Sequence, residues 1–434
     1  MQANRGDAMA RQLNRRDFLR TAAVAGGVTG FPAVLRPRPS WAQGKKVPVG
    51  SLLDKTGGIN IYGLPAIAGT EYAVAEINAK GGLLGKQLEL IQYDTQSDIA
   101  NFPKFAKKLI LEDQVVVIHG GITSASRESF RPVIDEYKQL YFYNIIYEGG
   151  VCDKYVFVTG ETPTQQMGPL AKYALKKYGT KAYTVAADYN FGHISWKWWD
   201  IFWRNGGGLE PVPGAKHGEH VGKVEFIPLD VTDFNATINR IQEAKPDVLM
   251  SFLVGGAHIN FYRQFAAAGL KNKIPIISTT FGFGNEHIVL DAKEVEGLVA
   301  CYPYFDELDN AQNRVFKAAM KKKMGKPDYY VGDAGAESYN GWHFWAKGVQ
   351  KAKSFDREAV TKAMESGIEW DSPMGHVKMD PASHHVIFTM HLAAVNDKHG
   401  WKVLESFPNV PPTETMQLCD LIKKPDQHTQ YQPK

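Results

Sequence analysis

The period of apolar and polar positions changes repeatedly along the chain, and the changes mark its elements. From Val47 onward, short apolar runs alternate with stretches of helical spacing. "VPVGSLL" reads as a strand. "YGLPAIAGTEYAVAEINAKGG" reads as a helix, with Ala68, Tyr72, Ala75 and Ile77 on one periodic set and Gly81-Gly82 as its stop. "QLELIQYD" alternates as a strand, and "NFPKFAKKLILED" predicts a helix capped by Asn101. "VVVIHGG" predicts a strand covered on both faces. "SASRESFRPVIDEYKQ" then predicts a helix and "LYFYNI" a strand. This βαβαβαβ order predicts a right-handed, doubly wound parallel sheet.

The order restarts at "YVFVTG". A helix ("TQQMGPLAKYALKKYG"), a strand ("AYTVAAD"), a helix ("GHISWKWWDIFWRNGG") and a strand ("VEFIPL") follow. Then come "FNATINRIQEAKP" (helix), "DVLMSFLV" (strand), "AHINFYRQFAAAG" (helix) and "IPIISTT" (strand). Two α/β halves of similar length result. Three further helices are predicted in "NAQNRVFKAAMKKKMG", "DAGAESYNGWHFWAKGVQKA" and "DREAVTKAMESG". "GHVKMDPASHHVIFTMHLAAVND" has hairpin character, and a Pro-rich tail begins at Pro408. Parallel sheets bind ligands beyond the carboxyl ends of their strands, at helix N-termini. The expected contacts are Thr123 to Ser126, Tyr147-Glu148, Asp188-Tyr189, Gly255-Gly256 and Thr279 to Phe281.

The length of 434 residues leaves room for two or three domains. With 44% hydrophobic and 22% charged residues, the composition is that of a globular protein with a large core. The N-terminus stands apart. Arg15-Arg16, then Phe18 and Leu19, precede a weakly apolar stretch from Thr21 to Leu35 that ends in Ser40-Trp41-Ala42. This segment resembles a twin-arginine export signal, with Asn14 where Ser or Thr is usual. A disordered basic tail is the alternative. The apolar run is too short to span a membrane.

Residues 1–42 hold seven Arg and two Asp, a net +5, against +4 for the whole chain, so the remainder is −1. A nearly neutral mature chain argues against nucleic acid as a partner. No later run of apolar residues has membrane-spanning length, so the mature protein is expected free of the membrane, in the periplasm. Cys152, Cys301 and Cys419 are widely spaced, which allows at most one internal disulfide and no Cys-x-x-Cys metal site.

"GGITSASR" is neither a Gly-x-Ser-x-Gly elbow nor a Gly-x-x-x-x-Gly-Lys phosphate loop. Ser124 or Ser126 fits a helix N-cap. In "ADYNFGHISWKWWDIFW", Trp196, Trp199 and Trp203 share a face and suit packing, while Asp188, Tyr189 and Phe191 lie in a loop after a strand. His217 with His220, and His384 with His385, lack a third ligand and fit solvated loops better than a metal site. "EVEG" at 294–297 fits solvated surface. No cofactor is implied.

The chain resembles the type I periplasmic solute-binding proteins of ABC transporters, in the branched-chain amino acid and amide group. The resemblance is carried by "GTEYAVAEINAKGGLLGKQLELIQYDTQSD", "VVVIHGGITSASRESFRPVIDEY", "DYNFG", "TDFNATINRIQEAKPDVLMSFLVG" and "FYRQFAAAGL". "TSASR…PVIDEY…LYFYNIIYEG" and "DYNF" are most similar to urea and short-chain amide binders. It implies two α/β lobes joined by three crossovers: 45–160 with 304–380 as lobe I, 161–303 with 381–410 as lobe II, and 411–434 as a tail. It implies ligand contacts from Thr123, Ser124, Tyr147, Glu148, Tyr189 and Phe191, with the residues near Gly256 and Phe281, to which the position after a strand adds Asp188. It also implies a small-molecule ligand, a membrane permease as partner, and no catalysis. The loop "TTFGFGN" has no acid before Glu286 to pair with an amino acid's ammonium, and Gly255-Gly256-Ala257 stands where urea binders carry an acid. An exported hydrolase, or a sensor uncoupled from transport, are the rival readings.

Overall fold

The computed structural model describes residues 44–433, so the export-signal expectation for residues 1–42 lies outside the described residues. Six strands come first: β1 (Lys46–Leu53), β2 (Gln87–Asp94), β3 (Ile118–Gly120), β4 (Tyr141–Tyr143), β5 (Val151–Asp153) and β6 (Val156–Val158). Five of them form a wholly parallel sheet in the order β2-β1-β3-β4-β6. Strands β3 and β4 are buried along their whole length, whereas the edge strand β2 is largely open. That difference is why "VVVI" is unbroken and "QLELIQYD" alternates. Helices α1 (Asn60–Ala79), α2 (Asn101–Leu111) and α3 (Ser124–Tyr137) connect these strands. Asn101 is the first helical residue of α2 rather than its cap; its side-chain amide donates to Thr95 O at 3.1 Å.

The second sheet begins with β7 (Lys181–Ala187), β8 (Glu219–His220), β9 (Glu225–Ile227), β10 (Val248–Phe252), β11 (Ile276–Ser278) and β12 (Val299–Tyr302). Its helices are α4 (Pro163–Lys177), α5 (Asn190–Arg204), α6 (Asn235–Ala244), α7 (Gly256–Ala267), α8 (Glu286–Val289) and α9 (Ala292–Val295). Strands β7, β10, β11 and β12 run parallel. On α5, Trp199 and Trp203 are buried and stacked with ring centroids 5.0 Å apart, so they are core. Val295, in the stretch read as solvated surface, is buried.

Helices α10 (Ala311–Met324), α11 (Asp333–Ala352) and α12 (Arg357–Met364) return to the first lobe. There α11 lies so close along α1 that a Cβ on Gly69 would meet Gly335 O at 2.0 Å. Strands β13 (Glu369–Ser372), β14 (Gly375–Met379), β15 (Val386–Val395) and β16 (Trp401–Val410) are antiparallel, and β15 joins them to β12. The second sheet is therefore mixed. The hairpin β13–β14, expected in lobe I, bonds into this second sheet while Trp370 rests against His343 of α11. The chain passes between the lobes three times: from β6 to α4, from β12 to α10, and from α12 to the β13–β14 hairpin.

The tail is structured. It carries α13 (Thr413–Met416) and β17 (His428–Gln430), which pairs with β5, and a Cys152–Cys419 disulfide fastens it. His384 and His385, expected in a solvated loop, are buried; His384 stacks on Phe157 at 4.2 Å. Among the described residues, no helix is long and apolar enough to cross a membrane.

Candidate functional site

The chain leaves β3 through Gly120 and Gly121, at φ +139° and +78°. A Cβ on Gly120 would meet Leu52 O at 2.1 Å, so the turn requires glycine. Thr123, not a serine, then caps α3: its Oγ1 accepts the Ser126 N–H at 3.0 Å and its carbonyl the Arg127 N–H at 3.0 Å. The N–H groups of Ser124 and Ala125 stay open at the helix end.

This helix end borders a narrow cleft between the lobes, with about 30 Å³ of enclosed space. Lobe I contributes Tyr62, Ile122, Thr123, Ser124, Ile145 and Ile146; the second lobe contributes Tyr189, Phe191, Val254, Thr280 and Phe283. The lining is apolar and aromatic with five hydroxyls and no charged side chain. Two more helices start at its rim. Tyr189 is the N-cap of α5, and Val254 precedes Gly255, the N-cap of α7. Three positive helix ends therefore border one cleft.

Tyr62 spans the lobes. Its hydroxyl accepts the Gly255 N–H at 2.9 Å and lies 3.3 Å from His258 Nδ1, and its ring packs on Phe283 at 5.7 Å. These contacts close the lobes on each other. Burial, with the Glu286 carboxylate nearby, holds the Tyr62 phenol well above its ordinary pKa. Glu286 Oε2 accepts the N–H groups of Gly282 at 2.7 Å and Gly284 at 3.1 Å, so it stands behind the lining. Thr280 donates to Leu253 O at 2.8 Å.

Beneath the cleft floor, Ser124 Oγ donates to Glu148. Arg127 Nη2 also donates to Glu148, at 2.7 Å, and its guanidinium lies over the rings of Tyr143 and Tyr147 at 4.9 and 4.8 Å. Gln430 of β17 reaches the same carboxylate at 2.5 Å.

The model of the periplasmic binding protein family matches residues 46–400. The chain belongs to that family. This binding protein is 24% identical over 371 residues to the Leu/Ile/Val-binding protein homolog 6 of Brucella melitensis, covering 84% of this chain and 91% of the relative. It is 27% identical over 341 residues to the leucine-, isoleucine-, valine-, threonine- and alanine-binding protein of Pseudomonas aeruginosa, covering 75% and 83%. A crystallised solute-binding protein of an ABC transporter from Rhodopseudomonas palustris, in complex with 3,4-dihydroxybenzoic acid, superposes with a TM-score of 0.74 at 23% identity. The superposition covers 86% of this chain and 99% of that one. It establishes the type I fold.

Of the residues expected at the ligand, Thr123, Ser124, Tyr189 and Phe191 come together on the cleft of this binding protein. Tyr147 and Glu148 lie below it. Tyr147 donates its hydroxyl to His385 Nε2, whose other nitrogen faces Ser383 O at 2.6 Å; burial pushes that neutral ring down to about 3. Asp188 turns outward to His193 at 2.8 Å. Gly256 opens α7 beside the lining, and Phe281 is buried against Tyr262 at 4.8 Å. Tyr62, Ile122, Ile145, Ile146, Val254 and Phe283 were not foreseen. Tyr62 follows strand β1 just inside a helix start, so the strand-end rule applied to β1 finds it. The isoleucines carry no such signal.

Proposed function

We propose that this binding protein is the ligand receptor of an ABC importer in the periplasm, and that its ligand is a small organic acid with a ring-sized apolar body. The lining carries the ligand class: three helix N-termini and the hydroxyls of Thr123 and Tyr189 offer donors, and no acidic side chain lines the cleft. A carboxylate gains from such donors and from the aligned helix dipoles. Tyr189, Phe191, Tyr62 and Phe283 supply aromatic surface for the body of the ligand. An α-amino acid brings an ammonium that finds no carboxylate on the lining, because Glu286 is already taken by backbone N–H groups behind it. Urea and short amides, the class the sequence resembles most, use the same donors but leave the apolar walls unfilled.

Binding works by closure. Ligand docks on one lobe, the other swings over it, and its extra contacts shift the open–closed balance. The closed form then engages a permease. Ser124 is not set up as a nucleophile: no histidine stands between it and Glu148, and Glu148 is also held by Arg127 and Gln430.

A thermal-shift screen of benzoate, 4-hydroxybenzoate, leucine, urea and acetamide on the intact protein tests the reading. Ligand at about 100 times Kd adds about 2.7 kcal/mol to stability, so aromatic acids are expected to raise Tm. A rise with leucine or urea alone contradicts the organic-acid reading. Turnover of amides that Ser124→Ala abolishes contradicts the receptor reading.

A further inference from the structure

Away from the cleft, three acids meet where the chain crosses between its lobes. Glu161 lies on the first crossing, between β6 and α4. Asp333 opens α11, the second helix after the second crossing, and Glu337 follows one turn later on the same helix face. Glu161 and Glu337 are fully buried and Asp333 is 3% exposed. One ligand oxygen from each lies within 4.8 Å of the others.

Their partners are few. The Glu161 N–H donates to Glu337 Oε1 at 3.3 Å, and Gln166 donates to Glu161 Oε1 at 2.9 Å. Glu161 Oε2, Glu337 Oε2 and both Asp333 oxygens have no hydrogen-bond partner. The Tyr304 backbone N–H approaches Asp333 without closing a hydrogen bond. Among the described residues no Lys, Arg or His offsets the three charges.

Three carboxylates cannot all ionise in such a place without a compensating charge. Glu161 and Glu337 lie close enough to share one proton, but a shared proton leaves both Asp333 oxygens without a partner. A cation needs only that the oxygens surround it. Carboxylate oxygens suit a hard cation, and a fully buried site favours calcium, whose flexible shell takes bidentate carboxylates, over magnesium, which gives up its waters reluctantly. We propose that Glu161, Asp333 and Glu337 hold one Ca²⁺ ion, which ties the first crossing of the chain to α11. Water fills the remaining coordination positions. Burial pushes Glu161 up to about 7, and Asp333 and Glu337 well above the carboxylate range, in the metal-free cluster. Calcium removes that penalty and stiffens the segment about which the lobes move.

The test is calcium titration of the intact, chelator-stripped protein by calorimetry and thermal shift. One Ca²⁺ per chain is expected, with a Tm rise of about 3 °C or more in excess calcium and a smaller response to Mg²⁺. Glu337→Gln should weaken calcium binding by about tenfold or more, and Asp333→Asn provides a second variant if the first folds poorly. The titration of the unmodified protein needs no variant. No calcium heat together with a Tm unchanged by chelation overturns the proposal. So does a Glu337→Gln or Asp333→Asn protein that folds and binds calcium as tightly as the parent. A cluster filled by protons would give no calcium response and a Tm that rises as pH falls from about 8 to 6, and that result also overturns it.

Discussion

Tyr189 offers the cleft both a ring face and a hydroxyl, and its ring stacks on Phe191 with centroids 5.9 Å apart. Tyr189→Ala is expected to weaken ligand binding by more than about tenfold, which is about 1.4 kcal/mol or more, with the folded circular-dichroism spectrum retained. Unchanged calorimetric affinity would remove Tyr189 from the proposed site. Residues of this kind were legible because they follow strands, where helix ends and loops face a ligand. Neighbours at the same strand ends turn elsewhere: Glu148 goes to Arg127, Asp188 to His193, and Phe281 into the core against Tyr262. Their direction depends on local backbone torsion that a strand-end rule does not contain. Ile145 and Ile146 were illegible for another reason, since an apolar residue lining a ligand and one lining the core look alike in a sequence.

Among the elements, the parallel strands and their helices were readable from hydrophobic period, and "DAGAESYNGWHFWAKGVQKA" is the helix Asp333–Ala352 residue for residue. Strand β16 was not. Most of its side chains are exposed, and Pro408 sits inside it. The register shift between Phe388 and Met390 of β15 falls opposite that proline, so no ladder bond is asked of it. A polar, proline-bearing edge strand therefore reads as a tail. The same holds for the last residues, whose anchoring by Cys152–Cys419 cannot be deduced from cysteine spacing. Cys419→Ser should lower stability by about 2–4 kcal/mol, as expected for loss of a long-range disulfide, and should speed hydrogen exchange at His428–Gln430. A denaturation midpoint and exchange rates equal to those of the parent would show that the tail is held without it.

At the scale of the molecule, two α/β halves were evident because each repeats the same order of strand and helix. The sharing of the last strands between lobes was not, since pairing of β14 with β15 is a long-range choice that local pattern does not record. Burial also sets a pH response. His287 and His385 are pushed down to about 3, and His391 and His220 to about 4, so all four are neutral in the fold. Unfolding restores their ordinary affinity for protons, near pH 6.5. Their contribution is therefore complete above about pH 6.5 and is lost as pH falls toward 4. Calorimetric Tm in calcium-replete buffer should decline between pH 7 and about 4.5; a flat or rising Tm over that range would contradict neutral burial of these rings.

The central claim is that the cleft captures an organic acid by lobe closure, and isothermal titration with 4-hydroxybenzoate tests it most directly. One molecule per chain is predicted, with saturable heat and a negative heat-capacity change from closure over the ring. Absence of heat with every aromatic acid, alongside saturable binding of leucine or urea, would contradict it.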